Sequence, residues 1–138
     1  MVDETRVLRL LRAVADDLAV LRSAAATSHE QRIEPLWLRG VKYTFVTAIE
    51  ACIDIAQHIC AAEGWGPPRD NADAFALLGD HKVVDRELAA RMRRAAGFRN
   101  VLVHEYIQVD DRIVLAMLDD PSDLDEFSRQ IAEWLGGR

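Results

Sequence analysis

The longest helical pattern in the chain occupies residues 33–63, with the sequence IEPLWLRGVKYTFVTAIEACIDIAQHICAAE. Apolar residues recur there every three or four positions and form one broad face, made by Trp37, Val41, Phe45, Ala48, Ile49, Cys52, Ile55, Ala56 and Ile59. This period predicts one long helix that forms the spine of a helical bundle. The sequence Gly64-Trp65-Gly66-Pro67-Pro68 follows. It should end the helix, because glycine permits a left-handed cap and proline cannot continue the hydrogen-bond ladder.

Shorter helical patterns lie on both sides of this segment. They cover residues 2–26, 71–78, 84–96, 113–118 and 123–135. Gly97 should close the third of these, residues 84–96, so that Phe98 begins a new segment. Since no strand pattern, repeat or low-complexity tract competes, the sequence predicts an all-α, up-and-down bundle that forms a single domain over residues 1–138.

Composition limits the possible functions. The chain has 138 residues, and half of them are apolar, which is enough to form one hydrophobic core. It has only four prolines and seven glycines, few enough for a helical fold. Its net charge of −6 is unusual for a protein that binds nucleic acid, so any such site must be local. The best candidate for a nucleic-acid site is an arginine-rich segment just before and at the start of residues 99–106. Its arginines are Arg86, Arg91, Arg93, Arg94 and Arg99, and the acidic residues nearby in sequence are only Asp85 and Glu87.

The cysteines and the N-terminus favour a cytoplasmic protein. Cys52 and Cys60 lie eight residues apart, about 12 Å along a helix, which is too far for a disulfide within it. They are therefore predicted to be reduced core thiols. Charged residues interrupt the first twenty positions, which argues against a signal peptide, and no window is expected to reach the roughly 20 apolar residues of a membrane span.

The strongest chemical pattern is Arg-Asn-Val-Leu-Val-His-Glu-Tyr at residues 99–106. Asn100 and His104 are four residues apart, so on a helix they share a face and the amide could orient the imidazole. Arg99 would lie about 140° around the same helix from His104. Either the helix breaks within the motif, or two copies of the motif meet.

An arginine and a histidine together suit phosphodiester cleavage. The guanidinium can hold a phosphate, and an imidazole can move protons near neutral pH. RNA needs no metal for this reaction, because its 2′-hydroxyl is an internal nucleophile. That route uses two proton-transfer groups, which a two-fold homodimer would supply from two copies of one histidine.

Residues 99–106, together with the block Ala48–Ile59 upstream and the segment from Asp110 to the last helix, resemble the HEPN-domain toxins of the HepT family over most of the chain. This resemblance implies a HEPN-like fold and a metal-independent RNA endonuclease that acts as the toxin of a toxin–antitoxin pair. It also implies a minimal nucleotidyltransferase antitoxin as partner, which adds AMP to the tyrosine of the motif, here Tyr106. No cofactor and no membrane contact are expected.

Each candidate residue has a functional and a plainer interpretation. His104 would be the general base or acid and Arg99 would hold the scissile phosphate, with Asn100 orienting His104. In the plainer interpretation, His104 and Arg99 satisfy neighbouring groups and Tyr106 only packs against the fold. Arg93 and Arg94 are nearest in sequence to the motif and are predicted to contact the RNA backbone.

Glu50 and Asp54 form a second pair four residues apart, on an otherwise apolar stretch. Two carboxylates on one face repel each other unless a cation lies between them. A metal is possible, although only His58 offers a further ligand and does so weakly. We expect instead that Glu50 or Asp54 holds an arginine such as Arg99, with ordinary surface pairing as the alternative.

Two other functions remain open at this stage. The domain could be a non-catalytic HEPN partner, or substrate-recruiting module, of a nucleotidyltransferase. It could also be a ligand-binding helical bundle whose polar motif only builds a dimer interface.

Overall fold

A computed structural model describes residues 1–32, 34–104 and 109–138 of the chain. These ranges contain the helices α1 (Glu4–Ala25), α2 (His29–Arg32), α3 (Pro35–Glu63), α4 (Asn71–Asp80), α5 (Arg86–His104), α6 (Asp111–Asp119) and α7 (Ser122–Gly136). No residue within them belongs to a strand. The prediction of an all-α fold is therefore confirmed.

Helix α3 is the predicted spine. It contacts α1, α4, α5 and α7, and its predicted apolar face is buried from Val41 to Cys60. Pro35 occupies the first turn, where its missing N–H removes no helical hydrogen bond. Gly64 ends the helix in the left-handed region with φ 74°, as the sequence predicts, and the N–H of Trp65 donates to Cys60 O at 2.8 Å.

The sequence places the other long helices to within about two residues at most ends, but it misses the four-residue α2 and misjudges the end of α5. Gly97 was expected to close a helix at Ala96, yet α5 continues through Gly97 to His104. A glycine inside a helix costs only about 1 kcal/mol relative to alanine. Packing beyond the glycine outweighs this cost, because the ring of Phe98 meets the ring of Phe45 edge to face at 5.8 Å between centroids.

Helices α4 and α5 approach each other closely at two small residues. A Cβ atom built on Gly79 would lie 2.7 Å from the Cβ of Ala89. Both residues are buried, so a side chain at position 79 has no room unless the helices separate. This contact fixes the start of α5 against the bundle.

The expectation that no segment is long and apolar enough for a membrane span is wrong for α3. An 18-residue window of this helix has a mean hydropathy of 1.4 and is long and apolar enough to cross a membrane by composition. However, 56% of that window is buried inside the bundle, as in the central helix of a globular core. The apolar surface of α3 is used chiefly against its neighbouring helices.

Both cysteines are free and buried, as predicted. Burial raises the pKa of the Cys60 thiol to about 11, with a smaller contribution from the nearby Asp73 carboxylate. Burial also raises the pKa of Cys52. Neither thiol is suited to act as a nucleophile near neutral pH, since the thiolate is the reactive form.

Candidate functional site

The last turns of α5 carry the sequence motif and rest on α3. Phe98 anchors this end through its contact with Phe45, and Leu102 is half-buried against the core. Val101 and Val103, by contrast, are exposed by 43% and 37%. The end of α5 is therefore held on one side and open on the other.

Arg99 lies on the held side and is fixed by Glu50 of α3. Its Nη2 lies 2.6 Å from Glu50 Oε1, and its Nε donates to the same oxygen at 3.2 Å. Only 19% of the arginine side chain is exposed, against 42% of the glutamate side chain. Of the two carboxylates expected to hold an arginine, Glu50 does so, and the guanidinium keeps further N–H groups for a ligand.

Asn100 contacts Arg99 as well. Its amide oxygen accepts a hydrogen bond from Arg99 Nη1 at 3.0 Å. Within the described ranges, no hydrogen bond joins Asn100 to His104, so the expected orientation of the imidazole by this amide is not what the structure contains. Glu50 and Asn100 therefore contact different nitrogens of the Arg99 guanidinium and together fix its orientation.

His104 is the last residue of α5 and is exposed. Because the helix is continuous from Arg86 to His104, the break that could have turned both side chains toward one point is absent. Arg99 and His104 are about 140° apart around one axis, so the arginine faces α3 while the histidine faces solvent. Of the two alternatives drawn from the sequence, a helix break between Arg99 and His104 is therefore not found, and the meeting of two copies stays a prediction.

The remaining predicted residues are distributed as follows. Tyr106 lies outside the described residues. Asp54 is exposed one turn beyond Glu50, and within the described part of the chain it forms no ion pair. Arg93 and Arg94 are both exposed on α5. No group of three or more histidine, cysteine, aspartate or glutamate side chains that could hold a metal ion occurs among the described residues.

Sequence reasoning missed a shallow groove beside Arg99. It has a volume of about 480 Å³ and is lined by Arg39, Lys42, Tyr43, Val46, Thr47, Glu50, Leu102 and Val103. Tyr43 is 69% exposed, which is unusual for an aromatic residue on a core helix. The spacing could have revealed it, since Tyr43 and Glu50 are seven residues apart and therefore share a face of α3.

Comparison with known proteins gives this site a context. A family model described as Ribonuclease HepT-like matches residues 11–133. The chain is 36% identical over 66 residues to the mRNA nuclease HepT of Shewanella oneidensis, covering 48% of this chain and 50% of that protein. It is 33% identical over 87 residues to the tRNA nuclease HepT of Aphanizomenon flos-aquae, covering 62% of this chain and 59% of that protein. These matches thus span between half and two thirds of the curated relatives.

Solved structures resemble the fold over a greater length. The tri-AMPylated Shewanella oneidensis HEPN toxin in complex with MNT antitoxin superposes with a TM-score of 0.87, covering 96% of this chain and 99% of that chain. The sequence identity in that superposition is 22%, so the likeness concerns the fold. The predicted HEPN-like architecture is confirmed.

Proposed function

Because the chain belongs to the HepT-like ribonuclease family, we propose that it is a metal-independent RNA endonuclease and the toxin of a toxin–antitoxin pair. The observation that carries the proposal is the arrangement at the end of α5. There a guanidinium fixed by a carboxylate lies five residues before an exposed imidazole. We place this activity in the cytoplasm and assign it to residues 1–138 as a single HEPN-like domain.

Arg99 would bind the scissile phosphate. Its contacts with Glu50 and Asn100 hold the guanidinium plane in one orientation before substrate arrives, and pre-organised charge is what stabilises a developing phosphorane. His104 would remove the proton from the 2′-hydroxyl or supply one to the leaving 5′-oxygen. The bond from the 2′-oxygen to phosphorus forms as the bond to the 5′-oxygen breaks, which leaves a 2′,3′-cyclic phosphate and a 5′-hydroxyl end.

A homodimer would complete the site. One copy offers a single histidine in the motif, and that histidine points away from Arg99 on a straight helix. A two-fold axis beside this end of α5 would bring two imidazoles and two guanidiniums into one pocket and supply both proton-transfer groups. The exposed Tyr43 of α3 and Val101 and Val103 of α5 are apolar surface of the kind that such an interface covers.

Neutralisation would act on the same pocket. We propose that a minimal nucleotidyltransferase antitoxin adds AMP to Tyr106, two residues beyond His104 in sequence. An added phosphate beside the pocket would repel the RNA backbone and block its access.

The test is RNA cleavage by purified protein in buffer with EDTA. His104→Ala should reduce the cleavage rate by about 10²-fold or more, the usual contribution of a general acid or base, and should abolish growth arrest. His81→Ala is the matched control. His81 is exposed, stacks on Trp65 with 3.9 Å between centroids and has no assigned role. Cleavage by the purified His104→Ala protein at the wild-type rate would reject the role of His104. A strict requirement for added metal would reject the metal-independent mechanism.

The modification is tested separately by intact mass. Co-expression with a minimal nucleotidyltransferase antitoxin should raise the mass by one or more AMP units, and Tyr106→Phe should prevent the increase. An unchanged mass of the wild-type chain would refute the modification without touching the nuclease assignment.

A further inference from the structure

The solvent face of α5 carries a row of residues in line with His104. At intervals of three and four residues, and all exposed, these are Arg86, Ala90, Arg93, Gly97, Asn100 and His104. We name this row the basic track. It contains two arginines and a histidine and no carboxylate.

Helix geometry aligns its charged members closely. Arg86 lies eighteen residues before His104, about five full turns, so the two side chains leave the helix in nearly the same direction. Arg93 lies eleven residues before His104 and deviates from that direction by about 20°. Arg94 is about 80° away. The structure thus separates the two arginines that the sequence treats alike.

The local surroundings support the same grouping. Arg86 and Arg93 line one small cleft of about 140 Å³, together with Asp80. Within the described ranges, neither arginine forms an ion pair, whereas Arg91 on another face is held by Asp123 at 2.8 Å. Arg86 and Arg93 are therefore available for a ligand.

Nearby carboxylates offset part of the charge of these two arginines. Those that line cavities with Arg86 are Asp80, Asp85 and Glu133. The pKa of the Asp73 carboxyl is lowered mainly by hydrogen bonds from Arg69 and also by the nearby charge of Arg93.

Two positions of the track between Arg86 and His104 are occupied by very small residues. Ala90 has one methyl group, and a Cβ built on Gly97 would meet no atom within 4 Å. An extended chain can therefore lie close to the helix along the whole row. The row is about 27 Å long at 1.5 Å per residue, which is far longer than a mononucleotide and suits a polymer.

We propose that the basic track binds the backbone of single-stranded RNA and leads it to the pocket at His104, with Arg86 and Arg93 contacting phosphates outside the scissile bond. This proposal rests on the proposed nuclease function and adds a path and a form of substrate to it. A protein partner fits less well, because the track has no large apolar side chain and protein interfaces centre on such residues. Regularly spaced charges without an apolar core are typical of phosphate contacts.

The test measures affinity for a 5′-labelled, unstructured 20-nucleotide RNA as a function of salt, with a 2′-O-methyl group on every ribose so that no 2′-hydroxyl remains to cleave the strand. The variant Arg86→Ala/Arg93→Ala should weaken binding at least fivefold at low salt. It should also lower the slope of log affinity against log salt by about 1.4, since each phosphate contact to a single strand contributes about 0.7.

Two arginines serve as comparisons. Arg9→Ala removes an exposed arginine from α1 and should leave the salt slope unchanged. Arg94→Ala removes one from α5 itself, off the track, and should lower the slope by less than half as much as Arg93→Ala. Equal losses in all three single variants would mean that binding follows total charge, which would overturn the track.

A second pair of variants tests the path without removing an arginine. Gly97→Glu and Gly97→Gln place side chains of the same shape on the track, at an exposed position where a Cβ atom meets no other atom within 4 Å. The glutamate variant should bind RNA at least fivefold more weakly than the glutamine variant, because its carboxylate repels the backbone. Equal affinities would contradict the proposed path.

The outcomes separate the track from the nuclease. If wild-type protein cleaves RNA but the double variant keeps its affinity and salt slope, the track is wrong and the nuclease assignment stands. If wild-type protein neither binds nor cleaves RNA, both proposals fail together.

Discussion

The two halves of α5 differ in burial and in role although they form one continuous helix. In its first eleven residues, Leu88, Ala89, Met92, Ala95 and Ala96 are buried. In the last eight, from Gly97 to His104, none is buried: Phe98, Arg99 and Leu102 are half-buried, and the other residues are exposed. The first half contributes to the core and the second presents the candidate site. Substitutions in the two halves should therefore affect different measurements.

The largest expected effect on this contrast comes from the core. Met92 is fully buried, so Met92→Ala should lower the free energy of unfolding by about 2–5 kcal/mol through lost burial and a cavity. Urea denaturation followed by circular dichroism measures this. Cleavage per folded molecule should not change. A stable variant with a slow cleavage rate would show that the two halves are not separable.

The next effect tests the contact that fixes the start of α5. Gly79→Ala forces a methyl group within 2.7 Å of Ala89 Cβ and should destabilise the fold by about 1–3 kcal/mol. Adding Ala89→Gly removes the opposing methyl group. The double variant should then be more stable than the sum of the two single losses, which a double-mutant cycle measures. Simple additivity would mean that the contact is not the cause.

A smaller effect is expected where the second half meets α3. Glu50→Gln keeps the shape of the side chain but removes the charge that holds Arg99, so RNA cleavage should slow about tenfold as the guanidinium loses its fixed orientation. Stability should change by less than about 1 kcal/mol, because the glutamate side chain is 42% exposed. Glu63→Gln is the control at the other end of α3, where the carboxylate pairs with Arg138. Equal slowing in both variants would point to a general effect of charge.

The smallest effect has the opposite sign. Gly97 sits inside α5 with open space around it, so Gly97→Ala should stabilise the protein by about 0.5–1 kcal/mol. Thermal unfolding against wild type measures the gain. A loss of stability would mean that α5 bends at this position in solution, and it would reopen the possibility that Arg99 and His104 converge within one copy.

A comparison of Gly97 with Gly64 shows which helix ends the sequence could predict. Gly64 could be assigned as a cap because two prolines follow within four residues, and its φ of 74° confirms this. Gly97 also follows a helical pattern, but no proline comes soon after it, and the helix continues because the Phe98–Phe45 contact stabilises it beyond the glycine. That contact joins residues far apart in sequence. No local pattern can indicate it.

The site was predictable in its members more than in its contacts. An acidic residue in an apolar stretch suggested a partner for Arg99, but Glu50 and Asp54 are only about 40° apart around the helix, so sequence alone could not choose between them. The spacing of Asn100 and His104 favoured a contact between them. The structure gives the amide to Arg99 instead, because Glu50 has already fixed the guanidinium beside it.

The burial of both native cysteines has a practical consequence for following the site in solution. Their thiols are enclosed and poorly ionised at neutral pH, so an alkylating dye should pass them by. A cysteine introduced at the open position 97 would then react selectively, without first replacing Cys52 or Cys60. Its fluorescence would report directly when a nucleic acid strand settles on this face of the helix.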